Sequence, residues 1–265
     1  MYLRAAHAES AISVLQQLIR ENPLGILTTA IASPNYPLLQ SSHIPFLLDV
    51  PESDDGAAPS NGILRGHVAK QNPQAKALME ALEAARKSSP NEGEGRHPLE
   101  LPDEVLVLFN GPHHHYVTPK FYTETKPNTG KVVPTWNYSA AQAYGKIRVY
   151  CDSKSEETAS FLQKQVEELS QHAETSVMGY TGEGGKASSW KVSDAPSSYV
   201  ELLKKNIIGI EIRIDRLQGK FKMSQEMGPG DRQGVIEGFE KLGTEVGKGI
   251  SQTVKERADL LKQGK

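Results

Sequence analysis

One cysteine, Cys151, stands in 265 residues, which excludes an intrachain disulfide framework and any zinc or iron–sulfur centre built from several thiolates. A reducing compartment is expected. Charge of one sign is also missing: 30 lysines and arginines face 32 aspartates and glutamates, leaving a formal net charge of -2. No global field draws such a chain to nucleic acid, and binding there would need a local basic patch. No apolar run approaches the roughly 20 residues of a membrane span. At the N-terminus, Ile12, Leu15, Leu18 and Ile19 recur at helical spacing but are flanked by Glu9, Arg20 and Glu21 and stopped by Pro23. That pattern is an amphipathic helix, not a signal peptide. The chain is expected to be soluble and cytoplasmic, with the nucleus also open. Absent too are GxGxxG after a strand, GxxxxGK[ST], GxSxG and HExxH, so the dinucleotide, P-loop, hydrolase-elbow and zincin readings lack their signals. Gly228-Pro229-Gly230 reads as a turn.

What is present is a set of short apolar strands joined by turn residues. Hydrophobic residues make up 37% and the mean hydropathy is -0.47, so the core must be concentrated in a few segments. Leu24–Ala32 and Tyr36–Leu48 read as strands turned by Ser33-Pro34-Asn35, and Gly62–Val68 as a third. Pro73 then opens a helix over Gln74–Arg86. Val105–Phe109 and Gly145–Tyr150 bracket a stretch rich in aromatic and small polar residues, suited to a pocket wall. Ser153–Ala173 and Tyr199–Lys205 read as helices. In the clearest strand pattern, Ile208, Ile210, Ile212 and Ile214 alternate with Gly209, Glu211, Arg213 and Asp215. Asp231–Leu242 reads as a helix. Hairpin connections rather than strand–helix alternation predict an α+β fold with an antiparallel β-barrel core. One domain is expected over residues 1–242, with flexible insertions at 49–61, 87–103 and 123–131. Residues 243–265 read as a polar, helical tail with little apolar surface.

Four clusters could carry chemistry. Thr28-Thr29 with Gln40-Ser41-Ser42-His43 puts hydroxyls, an amide and an imidazole on neighbouring strands, where they could bond a phosphate or a ring edge; the plainer reading is ordinary strand threonine and serine. Arg65, His67 and Lys70 could converge on an anion just before a helix start, against the alternative of a solvated strand end with Asn72 capping the helix. His113-His114-His115 lacks a further ligand at metal-binding spacing and reads as a loop beside the pocket. Thr135-Trp136-Asn137-Tyr138 offers flat surfaces for an aromatic ligand and polar groups to orient it, against the alternative of a core tryptophan.

These segments resemble the PaiB family, the FMN-binding "negative transcriptional regulator" proteins related to the pyridoxamine-phosphate-oxidase-like split barrels. The resemblance is carried by Met1-Tyr2, His43-Ile44-Pro45-Phe46, Gly66-His67-Val68-Ala69-Lys70-Gln71-Asn72-Pro73 and Phe109-Asn110-Gly111-Pro112. It continues through Tyr116-Val117-Thr118-Pro119, Val133-Pro134-Thr135-Trp136-Asn137-Tyr138, Ile208-Gly209-Ile210-Glu211-Ile212, Gly219-Lys220-Phe221-Lys222-Met223-Ser224-Gln225 and Asp231-Arg232-Gln233-Gly234-Val235. The segments run through most of the chain in the family's order.

The resemblance implies an antiparallel, Greek-key-like FMN-binding split β-barrel with flanking helices, forming a homodimer with FMN at the subunit interface. On this basis Thr29, Ser41, Ser42, His43, His67 and Lys70 would hold phosphate and ribityl oxygens. Thr135, Trp136, Asn137, Tyr138, Lys222 and Gln225 would close the site from the other subunit. The insertions and tail set the chain apart from shorter bacterial relatives and fit a fungal member. For function the resemblance implies a negative transcriptional regulator, although no DNA-binding motif or basic stripe is evident and direct nucleic-acid binding is doubtful. An FMN-dependent oxidoreductase acting on a small acceptor is the alternative, since the cofactor would carry the hard chemistry. Haem binding and a cofactor-free dimeric scaffold complete the set of readings.

Overall fold

A computed structural model describes residues 1–51, 60–88 and 100–262. Most of the loop expected at 49–61, and most of the insertion expected at 87–103, lie outside the described residues. The elements run in the order β1 (Ala8–Glu9), α1 (Ile12–Glu21), β2 (Leu24–Ala30), β3 (Leu39–Pro45), β4 (Leu47–Asp49), β5 (Ile63–Ala69), α2 (Pro73–Ser88), β6 (Glu100–Asn110) and β7 (His115–Val117). They continue with α3 (Thr125–Thr129), β8 (Thr135–Tyr150), α4 (Glu156–His172), α5 (Ser197–Lys204), β9 (Ile207–Lys222), α6 (Pro229–Lys241) and α7 (Glu245–Lys262). The strands hydrogen-bond in the order β3-β2-β6-β8-β9-β5-β4, with β1 on β9 and β7 on β8. The pairs β2–β3, β2–β6, β4–β5 and β5–β9 are antiparallel, as are β1–β9 and β7–β8. The α+β expectation with an antiparallel sheet therefore holds.

The chain forms two compact units. The larger one takes Ile19–Leu108 and Ala143–Leu217. Its core follows from period-two alternation: Ile208, Ile210 and Ile212 are fully buried, as are Leu27, Leu64 and Ile147. Helix α2 closes one side through Ala75, Leu78 and Leu82. It starts where expected, because the Asn72 side chain accepts a hydrogen bond from Gln74 N at 2.8 Å, with Pro73 in the first turn. Helix α4 is capped by Ser155. It lies against β9 at Gly209, where any Cβ would stand 2.4 Å from the Phe161 ring; that ring stacks on Tyr150 at 3.9 Å. Only glycine permits this approach.

The other unit takes Met1–Leu18, Phe109–Gln142 and Gln218–Lys265. Phe109, Val235 and Phe239 form its fully buried centre, together with Ile250 and Val254 of α7. The C-terminal tail was expected to carry little apolar surface. Its apolar residues are few, but the spacing of Gly247, Ile250, Ser251 and Val254 aligns them into one buried stripe. Arg257 fastens α7 further, over the Phe221 ring at 3.5 Å and paired with Glu9. Within the insertion expected at 123–131, residues 125–129 form α3, whose first amides, Glu124 N and Thr125 N, donate to the buried Asp231 carboxylate at 2.9 and 3.0 Å. Burial opposes that carboxylate's charge, but the hydrogen bonds from Thr125 and Glu124 outweigh it and hold its pKa below the ordinary aspartate range.

Candidate functional site

In the larger unit, strand alternation separates residues that are neighbours in sequence. Ser41 and His43 are exposed on one face of β3; there Ser41 Oγ bonds Thr28 Oγ1 across the ladder at 2.9 Å. Thr29 and Ser42 lie on the opposite face. The Thr29 hydroxyl accepts from Gln74 Nε2 at 3.0 Å, and Ser42 Oγ accepts from Asn72 Nδ2 at 2.9 Å. The period of two thus makes Thr28, Ser41 and His43 one set and leaves Thr29 and Ser42 bound to the helix start.

Arg65, His67 and Lys70 do not converge on an anion as expected. Arg65 is buried, and Asp49 of β4 and Glu168 of α4 pair with its guanidinium, while Gln165 Oε1 accepts from Nη1 at 3.2 Å. Burial opposes its charge, but the bonds to Asp49 and Glu168 hold its pKa above the ordinary value. Its donors are spent on carboxylates that are remote in sequence. His67 keeps a buried Nδ1 with no hydrogen-bond partner among the described residues, and burial pushes its pKa down, so the imidazole is neutral over a wider range than usual. Lys70 lies beyond the strand end, in a cleft with residues of α4 and α5.

In the smaller unit, the end of β9 faces the start of β8. Lys222 Nζ donates to Thr135 Oγ1 and, at 3.0 Å, to the Trp136 carbonyl. Lys220, two residues earlier on the same strand face, is 8% exposed; its Nζ donates to Tyr2 O at 3.1 Å and lies 5.4 Å from the centre of the Tyr138 ring. Neither lysine is ion-paired among the described residues. Glu226, the carboxylate that acts on Lys222 electrostatically, is bonded instead to His7 at 2.8 Å. Burial lowers the Lys222 pKa; Glu226 partly restores it and Lys220 lowers it again.

Asn137 is fully buried and donates from Nδ2 to Ser224 Oγ at 3.1 Å. Ser224 adopts φ 61°, the one non-glycine residue with positive φ among those described. Such a backbone costs about 1 kcal/mol or more and persists where its surroundings fix it. Gln225 turns inward: its Oε1 accepts from Met223 N at 2.6 Å and its amide donates to Phe221 O, so it holds the turn after β9. Trp136 is half-exposed, with Nε1 donating to His114 Nδ1 at 3.3 Å. His115 is engaged with the Tyr116 carbonyl at 2.8 Å. Lys220 escaped the sequence reading, although Gly-Lys-Phe-Lys places two lysines on one strand face and that spacing was a usable signal.

Residues 1–216 match the family model described as "Putative FMN-binding domain". The chain belongs to this family. A protein of Aspergillus fumigatus, uncharacterized, is 71% identical over 263 residues, 98% of each chain. The protease synthase and sporulation protein PAI 2 of Bacillus subtilis is 26% identical over 237 residues, 89% of this chain and 86% of that one. Among solved structures, the FAD and heme binding protein from Mycobacterium smegmatis aligns over 81% of this chain and 72% of that one, at 12% identity and a TM-score of 0.39. The fold is α+β with an antiparallel sheet, and FMN is the family's cofactor. No helix among the described residues is long and apolar enough to cross a membrane.

The residues present fit FMN. The cofactor brings a phosphate, a polar ribityl chain and a flat ring with acceptor and donor edges. The face around Lys220 and Lys222 supplies two ammonium groups without a paired carboxylate among the described residues, the Thr135 hydroxyl and the rings of Trp136 and Tyr138, backed by the fully buried Asn137–Ser224 pair. The face carrying Thr28, Ser41 and His43 offers exposed hydroxyls and an imidazole.

Proposed function

We infer that the protein uses bound FMN as an electron carrier to a small acceptor, with Lys220 and Lys222 as the principal cations holding the flavin. The observation that carries this reading is the lysine pair itself: one buried and one half-buried ammonium group, beside aromatic rings, with no carboxylate paired to either among the described residues. Burying uncompensated positive charge is costly, and an anionic ligand relieves the cost. When bound, FMN supplies one- or two-electron transfer; the protein's part is to orient the ring and set the charge around it. Thr135 and the Trp136 carbonyl aim the Lys222 ammonium, while Asn137 and Ser224 stiffen the strand end beside it. Thr28, Ser41 and His43 form a second candidate set for the ribityl oxygens.

A homodimer accompanies this reading. The outer face of β2 and β3 carries Ser41 and His43 and leaves Leu24 and Leu39 exposed at 57% and 68%. A second copy across a twofold axis is the commonest cover for such a face. A regulatory role would run through a partner or through the flavin's redox state, since the net charge of -2 gives no general attraction to DNA.

The test is an absorption spectrum of the purified protein before and after FMN is added and the excess removed, repeated with Lys220→Gln/Lys222→Gln. Stoichiometric flavin bands in the parent and their loss in the double variant are expected. Full retention by the variant would remove the lysines from the site; a parent that retains no flavin would end the electron-carrier reading.

A further inference from the structure

We propose that the cleft between α4 and α5 is a second anion site, built for a small phosphate monoester and separate from the flavin. The cleft has a volume of about 100 Å³ and brings Lys70, Lys204 and Lys205 together with Ser153 and Thr158, over an apolar floor that includes Leu162 and Ile207. One carboxylate lines it, Glu201, and that group is paired with Lys204, whose Nζ also donates to Gln163 Oε1 at 2.6 Å. Lys204 is thereby fixed and neutralised. Lys70 and Lys205 have no ion-pair partner among the described residues, so the cleft carries two uncompensated positive charges.

The backbone holds them in place. Lys70 N donates to the Asn206 carbonyl at 2.9 Å, which ties the end of β5 to the residue after Lys205. The start of α4 contributes no free amide at Thr158 or Ala159, because Ser155 occupies both, through Oγ at 3.4 Å and its carbonyl at 3.1 Å. Side chains must therefore do the binding: two ammonium groups and two hydroxyls, a donor set that suits phosphate oxygens. The apolar floor beside these donors gives an organic substituent a surface to lie on. That combination favours a monoester over the bare ion.

The separation from the flavin rests on what surrounds Lys70. Of the residues the family resemblance assigns to FMN, only Lys70 lines this cleft; Ser41 and His43 lie on the exposed face of β3 and Ser42 is bonded to Asn72.

The test is calorimetric titration of the full chain with phenyl phosphate in low-salt buffer, with and without saturating FMN. Expected are saturable one-site binding that FMN leaves in place and a roughly tenfold loss of affinity in Lys205→Gln and in Lys70→Gln, the order of one charge-assisted hydrogen bond. Lys205→Arg should retain binding, which separates a lost charge from a disturbed fold. No binding to the parent, binding indifferent to both glutamine variants, or binding abolished by FMN would each overturn the proposal. In the last case the cleft would belong to the flavin's own phosphate.

Discussion

Two buried cationic spots in this molecule are built in opposite ways. Around Arg65, the chain brings carboxylates from β4 and α4 onto the guanidinium and adds Gln165 as an acceptor for Nη1. Around Lys220 and Lys222 it brings a carbonyl, a hydroxyl and aromatic rings but pairs no carboxylate with either. The first arrangement is electrostatically closed and gains nothing from a ligand. The second is open: Glu226 acts on Lys222 electrostatically but is bonded to His7, and no described carboxylate is paired with either lysine. Burial of a basic side chain is therefore not in itself a sign of a binding site; whether the protein supplies the anion decides.

The largest expected effect tests the closed spot. Arg65→Met should destabilise the protein by about 3 kcal/mol, because it strands Asp49, Glu168 and Gln165 around an apolar side chain. Urea unfolding would measure it, and a midpoint unchanged from the parent would show that the ion cluster does not tie β4 to α4. At the open spot, Lys220→Gln/Lys222→Gln should move stability by less than about 1 kcal/mol while weakening FMN at least tenfold. A stability loss as large as that of Arg65→Met would erase the contrast.

A subtler effect concerns Cys151. Burial raises its thiol pKa, with Arg86 and Lys70 offsetting only part of the rise. At pH 8 it should react with a disulfide reagent more slowly than a free cysteine, and urea should restore the ordinary rate. A fast reaction in the native state would place a reactive thiolate in the α4–α5 cleft. The smallest effect is that of His67. Its folded pKa lies below the ordinary 6.5, so the unfolded chain takes up a proton first as pH falls. Its contribution to stability is complete above 6.5 and declines below it, levelling off once pH is under the folded value. Replacement by Gln should flatten that part of the stability–pH curve, and its ring signals in NMR should titrate below 6.5.

Much of this architecture could be read from residues alone, and each failure has a physical cause. The alternation of Ile208, Ile210, Ile212 and Ile214 announced β9, and Asn72 before Pro73 announced the start of α2, because both signals are local. The partners of Arg65 were invisible: Asp49 lies 16 residues away and Glu168 lies 103 away, and only tertiary folding joins them. Helix α7 was legible as a helical tail, but its packing was not, as its buried stripe is narrow and its average composition polar. Ser41, Ser42 and His43 were grouped by adjacency although the strand's period already divided them. At the candidate site, Trp136 and Lys222 stand in the motif itself, whereas Lys220 was passed over although its spacing from Lys222 marks the same strand face.

The division of the chain also bears on synthesis. Every residue of the larger unit lies at or before Leu217, so all of it has been made while the last part of the message is still being read. The smaller unit needs Glu9 and Arg257 together, and the Lys220–Lys222 face belongs to it. A growing chain can therefore fold its larger unit first. The lysine face is completed last, after α7 has left the ribosome, so an unfinished polypeptide carries a formed scaffold without this candidate cofactor seat.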